Sequence, residues 1–249
     1  MTPPEAACYP AVVFPLTGIV NLLYPPRCLL CSACGPDRDP VCVACTAALP
    51  DVGRPCCRAC GRPVPGAFDA AVSCAACRAR PPAFDAARSL WQYEGLARRA
   101  IHAYKYERRW RLARWMAEPL ADAVIRAAWD HVDAVVPVPR HWLKARWRGF
   151  DHTAYLAGVV SAQLEVPCRR LLRRRRWTAA QHPLTGPERR RNVHAAFTAA
   201  AGARGQRLLL IDDVLTSGAT AEACARALRQ AGAKEVYVLT AAVTASSAT

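Results

Sequence analysis

The stretch that most constrains the fold is Leu208 to Thr220, LLLIDDVLTSGAT. Its first four residues, Leu208 to Ile211, are apolar without alternation, the pattern of a parallel strand covered on both faces of a sheet. Two adjacent carboxylates, Asp212 and Asp213, follow where that strand is expected to end, and Thr216, Ser217, Gly218, Ala219 and Thr220 then set three hydroxyls around a glycine. A helical run, AEACARALRQAG, comes next and closes at Gly232 as its C-cap. Such a loop at a helix start presents unpaired N–H groups and the positive end of a dipole, and Gly218 lets the backbone approach a ligand closely. The carboxylates can accept hydrogen bonds from a diol or hold a divalent cation. Phosphate, diol and metal together point to a phosphorylated sugar. A Walker B strand also ends apolar-then-Asp, but its GxxxxGK[ST] partner is missing, because no Gly-Lys pair occurs in the chain. The bland alternative is a buried strand capped by a solvated Asp-Asp turn.

The cysteines define a second region. Eight of the 13 form four CxxC pairs: Cys28 and Cys31, Cys42 and Cys45, Cys57 and Cys60, Cys74 and Cys77. Cys8, Cys34 and Cys56 are extras, and Cys168 and Cys224 lie outside the segment. In a chain with no export signal, paired CxxC knuckles read as zinc ligands rather than disulfides. CLLC and CVAC stand ten residues apart, CRAC and CAAC thirteen, both close to the spacing of four-cysteine ribbons. Two structural zinc sites are the simplest account, with Gly61 suited to the positive-φ turn that such a knuckle needs. A redox CxxC is the competing reading for any single pair, and Cys34 or Cys56 as a substitute ligand stays open. Residues 28–83 carry eight of the chain's 20 prolines and little apolar periodicity, so this segment needs metal to fold.

Length and charge bound the rest. At 249 residues, 53% of them hydrophobic, the chain has enough apolar material for one large domain or two smaller ones. The net charge is +15, and only Lys105, Lys144 and Lys234 among the 34 basic residues are lysines, the others being arginine. Arginine suits phosphate bidentately, so the charge permits a nucleic-acid partner without requiring one. The longest apolar stretch, Ala11 to Tyr24, is too short to span a bilayer and is broken by Pro15, and Glu5 stands where an export signal carries basic residues. A cytoplasmic protein with no transmembrane segment is expected.

Residues 1–27 read as an amphipathic lead-in, 28–83 as the zinc-binding segment, 84–244 as an α/β domain and 245–249 as a disordered tail. Within the α/β domain a short strand over Ser89 to Tyr93 precedes helical runs at Leu96 to Tyr104 and Leu112 to Ala128, the second holding Pro119 as a possible kink. Lys105, between the two runs, is a candidate substrate contact; the bland alternative is an exposed lysine. Asp133 to Pro139 reads as a second buried strand broken by prolines. It leads to Arg140, His141, Lys144, Arg146 and Arg148 and then to a helix, a combination able to hold pyrophosphate. Arg169 to Arg191 holds nine arginines against Glu188 alone, either a solvated loop or a lid and nucleic-acid contact. Glu235 to Thr240 is a last parallel strand.

The 208–220 stretch resembles the ribose-phosphate loop of type I phosphoribosyltransferases. As a whole the chain resembles the ComF family of late-competence proteins, carried by the CxxC knuckles, DAVVPVP followed by RGF, RRWTAAQHPLTGPERRRNVHAAF and DDVLTSGAT. Asp151-His152 stands where many relatives have Asn-Gln, and Ser217 where many have Thr. The resemblance implies a parallel sheet flanked by helices with a small N-terminal zinc domain. It implies that Asp212, Asp213 and Thr216 to Thr220 meet the ribose 5-phosphate of phosphoribosyl pyrophosphate with Mg²⁺, while Pro139 and Arg140 lie in the pyrophosphate loop; Arg148, in the cationic run after it, is a further candidate substrate contact. The reaction class would be phosphoribosyl transfer, in a protein linked to DNA uptake; the alternative is a non-catalytic single-stranded-DNA-binding competence factor that senses the sugar phosphate. An oligomer is compatible with either.

Overall fold

The computed structural model describes residues 27–33, 39–53, 55–64, 66, 72–129, 131–139, 151–174 and 196–245. The lead-in over 1–26, Cys8, Cys34, the span with Arg140 and Arg148, residues 175–195 of the arginine-rich segment and the tail beyond Ala245 lie outside them.

A four-stranded, wholly parallel sheet organises the chain. Its strands are β1 (Ala86–Gln92), β2 (Ala134–Pro137), β5 (Arg207–Leu215) and β6 (Glu235–Val243), in the order β1-β6-β5-β2. β5 lies between β2 and β6, which is why Leu208 to Ile211 need no polar alternation. Leu209 and Ile211 enter one core with helices α3 (Gly95–Tyr106), α4 (Arg111–Arg126) and α5 (His152–Gln163). Leu208 and Leu210 enter the other, with α6 (Ala219–Gln230) and an antiparallel hairpin of β3 (Leu172–Arg174) and β4 (Phe197–Ala199). Side chains alternate across a strand, so an unbroken apolar run is what two covered faces demand.

Two local readings are corrected. β5 does not end before the acidic pair: it continues to Leu215, because β6 runs on to Val243 and keeps pairing with it, Asp212 opposite Thr240 and Leu215 opposite Val243. β1 begins three residues earlier than the alternation around Trp91 indicated, where it takes up parallel pairing with β6. The helical run that holds Pro119 forms one element, α4, with Leu112, Met116, Leu120 and Val124 fully buried along it. The hairpin of β3 and β4 brackets residues 175–195.

The cysteine-rich segment lies against the sheet and contributes two single-turn helices, α1 (Val43–Ala47) and α2 (Ala75–Ala79). Leu30, Val41 and Cys45 enter the same core as α4, and Trp91 stacks on Trp115 at 5.3 Å. The knuckle at Cys57 to Gly61 covers the edge of β1: the Ala87 amide donates to Ala59 O at 2.7 Å, and Arg88 Nη1 to Arg58 O at 3.0 Å. An otherwise open sheet edge is thereby occupied. No helix among the described residues is long and apolar enough to cross a membrane.

Candidate functional site

Strand β5 delivers its acidic pair to the end of the sheet where β2 also stops, so residues after both strands share one edge. Asp213 turns toward α3 and α5 and is 5% exposed. Lys105 Nζ of α3 meets Asp213 Oδ1 at 2.8 Å, and His152 Nε2 of α5 meets Asp213 Oδ2 at 3.0 Å. His152 is itself buried, and Tyr104 Oη donates to its carbonyl at 2.5 Å. α5 begins here because Asp151 is its N-cap, the carboxylate accepting from Ala154 N at 3.1 Å. A buried carboxylate is tolerable only when paired, and this one has two partners.

Asp212 has a different environment. It is half-buried; its Oδ1 accepts from the Asp213 amide at 2.9 Å. On this side lies Cys224 of α6, whose thiol is pushed well up by burial and then by the Asp212 carboxylate. Arg174 of β3 is the cation that opposes that effect, and burial in turn pulls its guanidinium down. Two carboxylates adjacent in sequence are thus separated by the pleat. One is locked into the α3–α5 face, and the other, half-buried, lies on the side of Cys224.

The loop follows at once. Thr216 and Ser217 are exposed, and Gly218 takes φ +79°, the left-handed conformation that turns the chain into α6. Ser217 Oγ accepts from the Ala219 amide at 3.4 Å, and Glu222 N returns to Gly218 O at 2.9 Å. The first-turn N–H groups of a helix lack intrahelical partners, so the start of α6 offers an anion free donors and the favourable end of the dipole. Pro139 ends the described residues beyond β2.

The sequence-predicted residues therefore divide. Lys105 and Asp213 are brought together as an ion pair, Asp212 and Thr216 to Thr220 sit contiguously at the sheet edge, and Arg140 and Arg148 lie outside the described residues. His152 and Tyr104 were missed as partners of this cluster. Nothing local in the sequence pointed to either residue as a partner of Asp213.

Both four-cysteine sets assemble. Among the described residues the groups of three or more ligand side chains able to hold a metal are Cys28, Cys31, Cys42, Cys45 and Cys57, Cys60, Cys74, Cys77, with all ligand atoms of a group within 4.8 Å of one another. The sulfur atoms of Cys31 and Cys42 are 3.7 Å apart, and those of Cys60 and Cys74 are 3.8 Å apart. A tetrahedral site with Zn–S near 2.3 Å separates its sulfurs by about 3.8 Å, whereas a disulfide needs about 2.05 Å. All described cysteines are free thiols. Cys56 sits apart, bridged through its backbone to Pro63. Burial raises Cys28, but amide donors from Cys42, Cys31 and Leu30 outweigh it and bring the thiol down to about 6. Cys57, likewise raised by burial, is brought to about 7 by the amides of Cys60, Cys74 and Ala59. Burial and the neighbouring thiols push Cys45 up to about 12. Four thiols so close cannot all ionise without a cation, and a bound Zn²⁺ supplies that charge.

Comparison with known proteins agrees with both regions. Residues 19–78 match the double zinc ribbon domain and residues 151–248 the phosphoribosyl transferase domain. The chain is thus a phosphoribosyltransferase-type α/β protein carrying an N-terminal double zinc ribbon. It is 30% identical over 188 residues to the DNA utilization protein YhgH of Salmonella typhimurium, covering 73% of this chain and 81% of that one. Identity to the Escherichia coli K12 protein of the same name is 29% over 206 residues, covering 80% and 88%. To competence protein F of Haemophilus influenzae it is 27% over 173 residues, covering 66% and 76%. The chain belongs to the ComF family. Glutamine phosphoribosylpyrophosphate amidotransferase of B. subtilis is a structural neighbour at TM-score 0.40 and 22% identity, covering 56% of this chain and 30% of that one.

Proposed function

We propose that the edge formed by Asp212, Asp213 and the loop Thr216 to Thr220 binds phosphoribosyl pyrophosphate as its Mg²⁺ complex, in a phosphoribosyltransferase-type site. The observation that carries this reading is the continuous run from β5, with the half-buried Asp212 in it, through a left-handed Gly218 into the N-terminus of α6. The loop amides and hydroxyls take the 5-phosphate, whose charge the α6 dipole favours. Asp212 accepts from the ribose hydroxyls. Asp213 holds the strand end in place through Lys105 and His152, so Lys105 acts on the ligand through Asp213. Pro139, Arg140 and Arg148 follow β2 and receive the pyrophosphate. Mg²⁺ bound with the pyrophosphate neutralises its charge. In transfer, the anomeric C–O bond breaks, pyrophosphate leaves with the bonding pair, and a nucleophile forms the new bond at that carbon; cationic residues around the leaving group lower the barrier. The working compartment is the cytoplasm, where reduced thiols keep tetrathiolate zinc sites intact.

Isothermal calorimetry with phosphoribosyl pyrophosphate, with and without Mg²⁺, tests the reading. Binding that requires Mg²⁺ and falls at least tenfold in Asp212→Asn supports it; unchanged affinity in that variant overturns it.

A second reading, single-stranded DNA binding, is favoured by the corner between α3 and α4. Tyr106 and Trp110 are 54% and 51% exposed there, beside the exposed Arg108, Arg109 and Arg111. Aromatic faces interleaved with guanidinium groups suit unstacked bases and phosphates. In the arginine-rich segment, Arg173 is exposed and Arg174 lies over the Phe197 ring at 5.5 Å. Titrating an oligothymidylate at several salt concentrations separates the readings: a slope that shrinks by about 0.7 per arginine removed marks phosphate contacts, and affinity no greater than that of any protein of like charge removes this reading.

A further inference from the structure

We propose that Arg62, carried by the second zinc ribbon, is a positioning residue for the loop at the start of α6, so that zinc in that ribbon and anion binding at the loop are coupled. The inference rests on the sugar-phosphate reading of the loop and assigns to the ribbon a part in that site.

The ribbon is seated on the sheet by its knuckle. Cys57 N donates to Arg62 O at 2.7 Å and Gly61 N to Cys57 O at 2.8 Å, so the backbone of Arg62 is an integral part of the turn that holds two of the four thiols. Gly61, at φ +69°, packs against β1 so closely that a Cβ there would stand 2.5 Å from Ala87 O. From this fixed base the Arg62 side chain crosses to the other unit, and its Nη2 donates to the carbonyl of Thr216. Its Nε is buried with no hydrogen-bond partner among the described residues, so the Thr216 carbonyl is the contact that locates the guanidinium. Arg62 shares with Cys60 and Cys77 the wall of a cavity of about 680 Å³ that opens on Ser217, Gly218 and Ala219.

The consequence follows from the peptide unit. The bond between Thr216 and Ser217 is planar and trans, so its N–H points opposite to its C=O. With the carbonyl drawn toward the ribbon, the Ser217 N–H is directed away from it, across the loop. A cation on the carbonyl also polarises that amide and strengthens it as a donor. Arg62 thereby orients one of the loop's donors before any ligand arrives. Removal of zinc frees the knuckle, and with it the base from which Arg62 reaches. Coupling between two ligands is reciprocal, so an anion held by the loop must also tighten zinc in this ribbon and leave the first ribbon unaffected.

The test uses the full, zinc-loaded chain with Arg62→Met, Arg62→Lys as rescue, and Cys28→Ser as a lesion of the first ribbon. Zinc content confirms in each variant that the second ribbon is loaded. In hydrogen exchange, the Ser217 to Thr220 amides are expected to exchange about tenfold faster in Arg62→Met, matching the loss of one charge-assisted hydrogen bond, and to recover in Arg62→Lys. Ribose 5-phosphate and phosphoribosyl pyrophosphate affinity should fall by a similar factor in Arg62→Met alone. In wild type, either ligand should slow chelator extraction of one zinc of the two, and this protection should vanish in Arg62→Met. Unchanged loop exchange in Arg62→Met overturns the proposal whatever the ligand does. A wild-type protein that binds neither ligand, yet shows the exchange effect, removes the sugar-phosphate reading and leaves the brace standing.

Discussion

Replacing Lys105 by Met removes one partner of a carboxylate that has almost no access to water. Lys105 and Asp213 side chains are 13% and 7% exposed, at 2.8 Å. At that distance an effective dielectric of about 20 gives a gross attraction of about 6 kcal/mol, most of it offset by desolvation of both charges. Removing one partner of a buried pair leaves the other charge uncompensated and costs about 3–5 kcal/mol. His152 Nε2 remains at 3.0 Å from the second carboxylate oxygen, which puts the expected loss at the lower end, about 3 kcal/mol. For a chain of this length that is a fall of about 6–12 °C in Tm. The assay is thermal unfolding by far-ultraviolet circular dichroism at fixed zinc, for Lys105→Met, Asp213→Asn and the double variant. Asp213→Asn removes the charge that needs Lys105, so the double variant should be more stable than the sum of the single losses implies, with a coupling above about 1 kcal/mol. A Lys105→Met protein within about 1 kcal/mol of wild type, or strict additivity, would refute the claim that Asp213 is a buried, clamped group.

Four further outcomes are expected. Protein made without added zinc should contain two zinc ions per chain, and stripping them should abolish the ordered signal of residues 28–77; mass analysis with thiol titration checks this, disulfides in place of metal being the contrary result. Gly61→Ala should cost at least about 2 kcal/mol, since it combines a left-handed φ with a backbone collision at Ala87, whereas Gly218→Ala, at φ +79° with no atom within 4 Å of the new Cβ, should cost about 1 kcal/mol; urea melts compare the two. Asp133 is held low chiefly by the Arg207 amide, and Glu235 by the Tyr237 hydroxyl. Both depressed carboxylates stabilise the fold above their unfolded values of about 4 and lose that contribution as pH falls through their folded ones. Asp133→Asn should therefore lower stability at neutral pH and flatten its decline on acidification, as seen in melts from pH 7 to pH 2.5.

The parallel sheet was legible because burial on two faces leaves a local trace: Leu208 to Ile211 and Val135 to Val136 are apolar runs with no polar side to spare. The zinc sites were legible for a similar reason. A CxxC turn places two thiols on one ion by local geometry alone, and the two short spacings put a second pair within reach of each. The loop after β5 could be read down to its glycine, because a left-handed turn into a helix needs that residue at that place. What remained hidden were relations between segments far apart in the chain. Only the tertiary structure gave Asp212 and Asp213 different surroundings, since it is the packing of α3 and α5 on one face of β5 that surrounds the second carboxylate with Lys105 and His152, 108 and 61 residues away in sequence. Only the pairing of β6 carried β5 past the acidic pair. Only the docking of the second ribbon on the edge of β1 brought Arg62 to Thr216, a contact across 154 residues. Periodicity and turn chemistry act over a few residues and are written in the chain; the company a buried charge keeps depends on which surfaces the folded elements have to cover.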